Sequence, residues 1–338
     1  MMRGLWIYLL MLSGTVQAQQ VDFEKVDFRR ADSIAALYKG ENLKNLPFLA
    51  HKLTKPLPSK IEQFRAIYTW VSTNIRSDYD YYNQNKSKRQ KLNHDKQALE
   101  AWNNSFRLKV FKKLLKEQKT VCTGYAYLIR ELASLADINC KIIDGYGRTV
   151  ANNIGGEGIP NHSWNAVQLN NKWYLCDATW SSGYFIVPDN QFIPDYNDGY
   201  FLAEPALFVK SHYPLDTAWI LMDSKPKLSE FLNAPLIYKY AFNYQMIPVA
   251  PSVMNMQITK NESVTFIFKT TDSIEVNDIS IELIEGANVT NVKPDITHSK
   301  EGLLELKYKF ERLGHYDVHI QVAEKKIVTY VVKVKKNK

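Results

Sequence analysis

Hydrophobic positions recur at helical spacing from residue 61, where Ile61, Phe64, Ile67, Val71 and Ile75 follow one another at intervals of three and four. Ser59-Lys60-Ile61-Glu62 precedes them as a capping box, in which the serine oxygen and the glutamate carboxylate satisfy backbone N–H groups that the first turn leaves without partners. The pattern predicts a helix over 60–75. A second stretch sets Leu99, Trp102, Phe106, Val110, Phe111, Leu114 and Leu115 among lysines and predicts one or two amphipathic helices. A third begins near Cys122, places Tyr125, Leu128, Ile129, Leu132 and Leu135 on one face, and ends around Asp137. Beyond it the texture becomes that of strands. Residues 140–146, 162–169 and 172–180 are rich in β-branched and aromatic side chains, and Asn170-Asn171 supplies a hairpin turn between the last two. Residues 20–58, punctuated by Pro47, Pro56 and Pro58, are a helical preface with little pattern.

Helices followed by an antiparallel sheet make an α+β core over 59–240, preceded by an extension over 19–58. From about 250 the pattern is strands with turns between them, at 263–269, 278–284, 303–310, 316–322 and 327–334. This predicts a β-sandwich over 250–338, and Gly314-His315-Tyr316-Asp317-Val318 resembles the glycine-tyrosine start of a late strand in immunoglobulin-like folds. Such a module binds or spaces more often than it catalyses.

Residues 1–18 carry Arg3, then Leu5, Trp6, Ile7, Leu9, Leu10, Met11 and Leu12, then the small-residue site Val16-Gln17-Ala18. This is the layout of a cleaved secretory signal peptide, and a secreted or periplasmic protein is expected. With 338 residues, 45% of them apolar, the chain can bury a core for two domains, and a disordered class is excluded. The formal charge of +8 invites a nucleic-acid reading until its placement is considered. Residues 85–119 alone hold eleven basic against three acidic side chains, a local net of +8. The expectation is a solvated basic face that meets an anionic envelope surface or an acidic partner, with no nucleic acid involved.

Three cysteines are too few for a disulfide scaffold, and Cys122, Cys140 and Cys176 make no CxxC pair, so no metal and no cofactor is expected. Cys140 and Cys176 fall in strands expected to share a sheet and are either bridged or buried as thiols; Cys176 adjoins Asp177 and points to the opposite sheet face from it. Cys122 is different. A cysteine in the first turn of a helix feels the positive end of the helix dipole and free backbone N–H groups, and both favour thiolate. His162 can hold the ion pair and protonate a leaving amine, and Asp177 can orient the imidazole; the hairpin at Asn170-Asn171 would set these two side by side. Each has a plainer reading alone, as a core thiol, a loop histidine and a turn cap.

Together with their neighbours the three carry a family signature. Val121-Cys122-Thr123-Gly124-Tyr125-Ala126, His162-Ser163-Trp164-Asn165-Ala166-Val167 and Trp173-Tyr174-Leu175-Cys176-Asp177-Ala178-Thr179-Trp180 resemble, in that order, the three core motifs of the transglutaminase-like superfamily. The helix 65–76 resembles the one that precedes this core. Tyr200 to Pro205, His212-Tyr213-Pro214 and Trp219 resemble the segment that follows it in the branch named for kyphoscoliosis peptidase. The resemblance implies a papain-like fold with Cys122, His162 and Asp177 in the catalytic positions. Thr120 departs from it, standing where a glycine commonly precedes Val-Cys. An oxyanion would also need a side-chain donor beside the nucleophile's own N–H. Gln118 and Trp102 are candidates that spacing does not separate, and Trp164 and Trp180 are further groove candidates. The expected function is a cysteine-dependent hydrolase of protein or peptide amide bonds working through a thioacyl intermediate. The alternatives are an acyltransferase sharing that intermediate, and a non-catalytic scaffold on the same fold.

Overall fold

Three helices, α1 (Arg29–Leu37), α2 (Leu46–Thr54) and α3 (Lys60–Asn74), open the computed structural model, which describes residues 22–92, 94–186, 190–270 and 274–337. The signal-like segment 1–18 lies outside the described residues. The capping box forms: the Ser59 hydroxyl accepts from the Glu62 N–H at 3.3 Å, and the Glu62 carboxylate accepts from the Ser59 N–H at 3.2 Å. Helix α3 is buried on most of its circumference, because α1 and α2 pack against it and residues of the α+β core close the rest. Arg65 on α3 locks the preface in place. Its guanidinium donates to Asp32 of α1 at 2.7 Å and pairs with Asp198, between the rings of Phe28 and Phe201.

The basic stretch folds as two helices, α4 (Tyr79–Lys91) and α5 (Lys96–Glu117). Only Phe106, Val110 and Leu114 of α5 are buried and no residue of α4 is, so most of the lysines stand in solvent. Asp78 anchors the pair: it caps α4 by accepting from the Tyr81 N–H at 3.1 Å and forms an ion pair with Lys113 of α5. A short parallel pairing of Arg76–Ser77 with Lys119–Thr120 brings the end of α3 beside the start of α6 (Cys122–Leu135).

Gly124, in the first turn of α6, shows why Thr120 can stand where it does. A Cβ at position 124 would lie 1.9 Å from the Thr120 hydroxyl oxygen, so the threonine fills the space that the glycine leaves open.

The strands after α6 form an antiparallel sheet in the order Lys172–Cys176, His162–Leu169, Cys140–Gly147, His212–Pro214. Asn170 and Asn171 both take the left-handed conformation (φ 50° and 62°), as the tight turn between two of these strands requires. The strand expected over 172–180 stops at Cys176. Asp177 then caps the short helix α7 (Ala178–Ser182), accepting from the Thr179 N–H at 2.8 Å and the Trp180 N–H at 3.3 Å. Cys140 and Cys176 are free and buried, and burial pushes both thiols up, Cys140 to about 12.

The C-terminal region is all β. One sheet holds Met246–Ala250, Ser263–Thr270, Leu304–Lys309 and Asp295–His298; the other holds Asn255–Thr259, Lys325–Lys335, Gly314–Val322, Ile279–Glu285 and Asn288–Val292. Leu236–Ile237 pairs with the long last strand, and one apolar cluster runs from Ile143, Trp164 and Leu175 through Phe208 and Phe242 to Phe266, Ile320 and Val332. The sandwich is therefore packed against the sheet that carries His162. Among the described residues no helix is long and apolar enough to cross a membrane.

Candidate active site

Val121 is extended and offers no side-chain cap to α6; its carbonyl accepts from the Gly124 N–H at 2.8 Å, and no side chain caps the N–H groups of Cys122 and Thr123. The thiol is half-buried. Burial pushes its pKa up, but the hydrogen bond and charge of His162 and the Ser163 N–H outweigh that, and the net direction is down from the ordinary cysteine value. The geometry favours a thiolate.

His162 stands at the start of its strand with its ring over Gly147, where a Cβ would come within 2.9 Å of the His162 Cβ. Its Nε2 meets the Asp177 Oδ2 at 2.6 Å, which leaves Nδ1 for the thiol. Burial opposes protonation of this imidazole, but Asp177 on one side and Cys122 on the other prevail and raise its pKa to about 10. A thiolate–imidazolium pair is the state so favoured.

Asp177 is buried, and burial alone would raise its pKa; His162 and then His212 hold it well below the usual carboxylate range. Each of its atoms has a task. Oδ1 caps α7, Oδ2 accepts from both imidazoles, and its backbone carbonyl accepts from the Tyr68 hydroxyl at 3.0 Å.

His212 is the site residue that local sequence signals do not reveal. Its Nε2 lies 3.1 Å from the Asp177 Oδ2, its Nδ1 lies 2.9 Å from the Ser211 hydroxyl, and its ring stacks on Phe208 at 4.0 Å. Burial drives its pKa down to about 4 against the pull of Asp177, so it stays neutral while His162 is charged. A histidine that ionises at about 6.5 unfolded and about 4 folded takes up its proton more readily in the unfolded chain. Stability should therefore fall as pH drops from about 6.5 to about 4 and gain no further loss from this group below that. His212→Gln, which keeps a donor toward Asp177, should flatten that part of the urea-unfolding profile.

The other candidates separate. Trp180 stacks on His162 at 5.2 Å and lies 4.3 Å from the His212 ring, in the wall of the cleft. Trp164 is buried beneath the site, 6.0 Å from the His162 ring. Gln118 donates its side-chain amide to the Glu41 carbonyl at 2.7 Å, and Trp102 donates its indole N–H to Asn85 at 3.0 Å and stacks on Phe106. Those donors are committed to holding α5. Donor atoms of His162, Asp177 and His212 lie within 4.8 Å of one another, close enough to bridge a metal ion, but both Nε2 atoms are engaged with the carboxylate.

Two cavities meet at Cys122. One, of about 660 Å³, runs past His162 and Trp180 and is walled by Tyr79, Tyr184, Phe185 and Phe192. The other, of about 150 Å³, lies under α4 and the loop 148–161.

Residues 47–178, the stretch that contains Cys122, His162 and Asp177, match the family model of the transglutaminase-like superfamily. Over these residues the chain carries a transglutaminase-like core. Its transglutaminase-like region is similar to kyphoscoliosis peptidase of Mus musculus, at 30% identity over 205 residues, which is 60% of this chain and 28% of that protein. The Homo sapiens protein of the same name is 29% identical over 248 residues, covering 73% of this chain and 33% of the relative. Hillarin of Drosophila melanogaster is 24% identical over 239 residues, covering 67% and 26%. The chain spans about a third or less of the length of these relatives. The superfamily includes cysteine peptidases and acyltransferases, and the transglutaminase-like core with an all-β C-terminal region is the architecture found here.

Proposed function

We propose that this protein is an exported cysteine hydrolase of protein or peptide amide bonds. The observation that carries the reading is the relay in which Asp177 holds His162 Nε2 at 2.6 Å while the same imidazole meets Cys122 at the start of α6. The Cys122 thiolate attacks the carbonyl carbon, and the C–N bond breaks as the imidazolium of His162 gives its proton to the departing amine. Water then attacks the thioester, His162 takes a proton from it, and the thiol is regenerated with release of the acid. The developing oxyanion has the Cys122 N–H available. Tyr82 lines both cavities, accepts from Asn152 at 3.1 Å and keeps its own hydroxyl proton to donate. The signal-like segment 1–18 supports export.

The test offers a protein digest as substrate together with a labelled primary amine, in water enriched in heavy oxygen. The expected products are new carboxylates carrying the heavy oxygen. Amine incorporation exceeding hydrolysis would assign acyl transfer instead, and neither product would leave a scaffold.

A further inference from the structure

Tyr82, Lys86 and Arg89 recur at i, i+4 and i+7 on α4, so they share one face, and that face forms one wall of the smaller cavity beside Cys122. The opposite wall is the loop 148–161. Its amides are already used. Asn153 donates to the Gly147 and Ile159 carbonyls at 3.0 and 3.1 Å, Asn161 donates to the Gly147 carbonyl at 3.1 Å, and Asn152 donates to Tyr82 and Thr149. Arg89 is not so occupied. Its Nε is buried and has no hydrogen-bond partner, and among the described residues it forms no ion pair. Nor does any carboxylate line the cavity. The guanidinium is attracted by the charges of Cys122 and then Asp144 without pairing with either, and Asp144 is itself hydrogen-bonded by Ser163.

A desolvated cation costs stability unless it is paired. Here a guanidinium and an ammonium face a cavity that holds no carboxylate and whose one anionic lining group is the Cys122 thiolate at its mouth. We infer that Lys86 and Arg89 form a carboxylate-binding subsite, so that the preferred substrate places an acidic group next to the bond that Cys122 attacks. The inference rests on the hydrolase reading and gives part of the +8 segment a task there. Arg89 can receive the carboxylate in a two-pronged geometry that Lys86 cannot, which makes Arg89 the specificity-determining member. The group recognised is a carboxylate, whether an acidic side chain or a terminal α-carboxylate.

Alkylation of Cys122 in the full chain separates the possibilities. Iodoacetate carries the carboxylate and iodoacetamide does not, while the attraction of the His162 imidazolium for iodoacetate is common to all variants and cancels between them. The wild type should prefer iodoacetate, the preference should shrink with added salt, and Arg89→Gln should lower it about tenfold, worth about 1.4 kcal/mol. Arg89→Lys should keep part of it, and Lys86→Gln, one turn away on the same face, gives an independent second reading. Fast labelling with the same reagent ratio in wild type, Arg89→Gln and Lys86→Gln overturns the subsite alone. Slow labelling by both reagents overturns the catalytic reading and the subsite with it. For the source of the carboxylate, two alanine peptides compete against iodoacetamide: one amidated with a single internal glutamate, one ending in a free α-carboxylate. Protection by one of them assigns the source, and protection by neither overturns a peptide carboxylate as the ligand.

Discussion

Cys122→Ala should lower amide hydrolysis by a factor of about 10⁴ to 10⁶ while leaving the fold intact. The sulfur is half-buried at the surface of α6, and its one side-chain partner is His162, so removing it takes little from the packing. His162→Ala should cost a comparable factor, because the thiolate loses the imidazolium that stabilises it and the leaving amine loses its acid. The double variant should be scarcely slower than either single one. Groups that act on one step as a unit are lost together, and the remaining rate over water comes from oxyanion donors and binding. Initial rates of the three variants on one substrate, with urea midpoints measured alongside, check this directly.

Asp177→Asn has the second largest expected effect, and it falls on both activity and stability. The carboxylate oxygen Oδ2 accepts from two imidazoles, and an amide turned to offer them its oxygen gives up the charge that keeps His162 protonated. A rate loss of about 10⁴ is expected, the size found when a triad carboxylate becomes an amide and the histidine tautomer is wrong. Removing one partner of a buried pair also destabilises, here by about 3 to 5 kcal/mol. The pH dependence supplies a further sign. Because the folded chain holds Asp177 below the usual carboxylate pKa, its contribution is fully present above that range and is lost as pH falls through and below it. The asparagine variant should lack this part of the acid transition. His212→Gln, by contrast, should retain most of the rate, since a neutral donor to Asp177 is replaced by another.

The meeting of Cys122, His162 and Asp177 was legible because each carries a local signal. Cys122 follows an extended valine at a helix start, and His162 and Asp177 flank a two-residue turn that fixes their register. The end of the strand at Cys176 was harder to see. Ala178-Thr179-Trp180 continue the β-like composition, and only the capping carboxylate of Asp177 marks the change to helix. His212 sits on a three-residue strand that reaches the site by pairing with Cys140–Gly147, a long-range event that no nearby residue announces. Helix α4 has no buried face, so its periodicity left no hydrophobic stripe from which to orient Lys86 and Arg89. The additional sandwich strand Asn288–Val292 is exposed along nearly its whole length and its alternation is correspondingly weak, whereas Asn255–Thr259 alternates over only five residues.

The pH profile of iodoacetamide labelling at Cys122, in wild type and in His162→Ala, tests the activated nucleophile most directly. The wild type should label with an onset below the ordinary thiol pKa of about 8.5. The rate should then hold nearly level until the imidazolium is lost near pH 10. His162→Ala should move the onset up into the ordinary thiol range. A Cys122 that labels no faster than free cysteine near neutral pH, or whose labelling is the same without His162, would contradict the account.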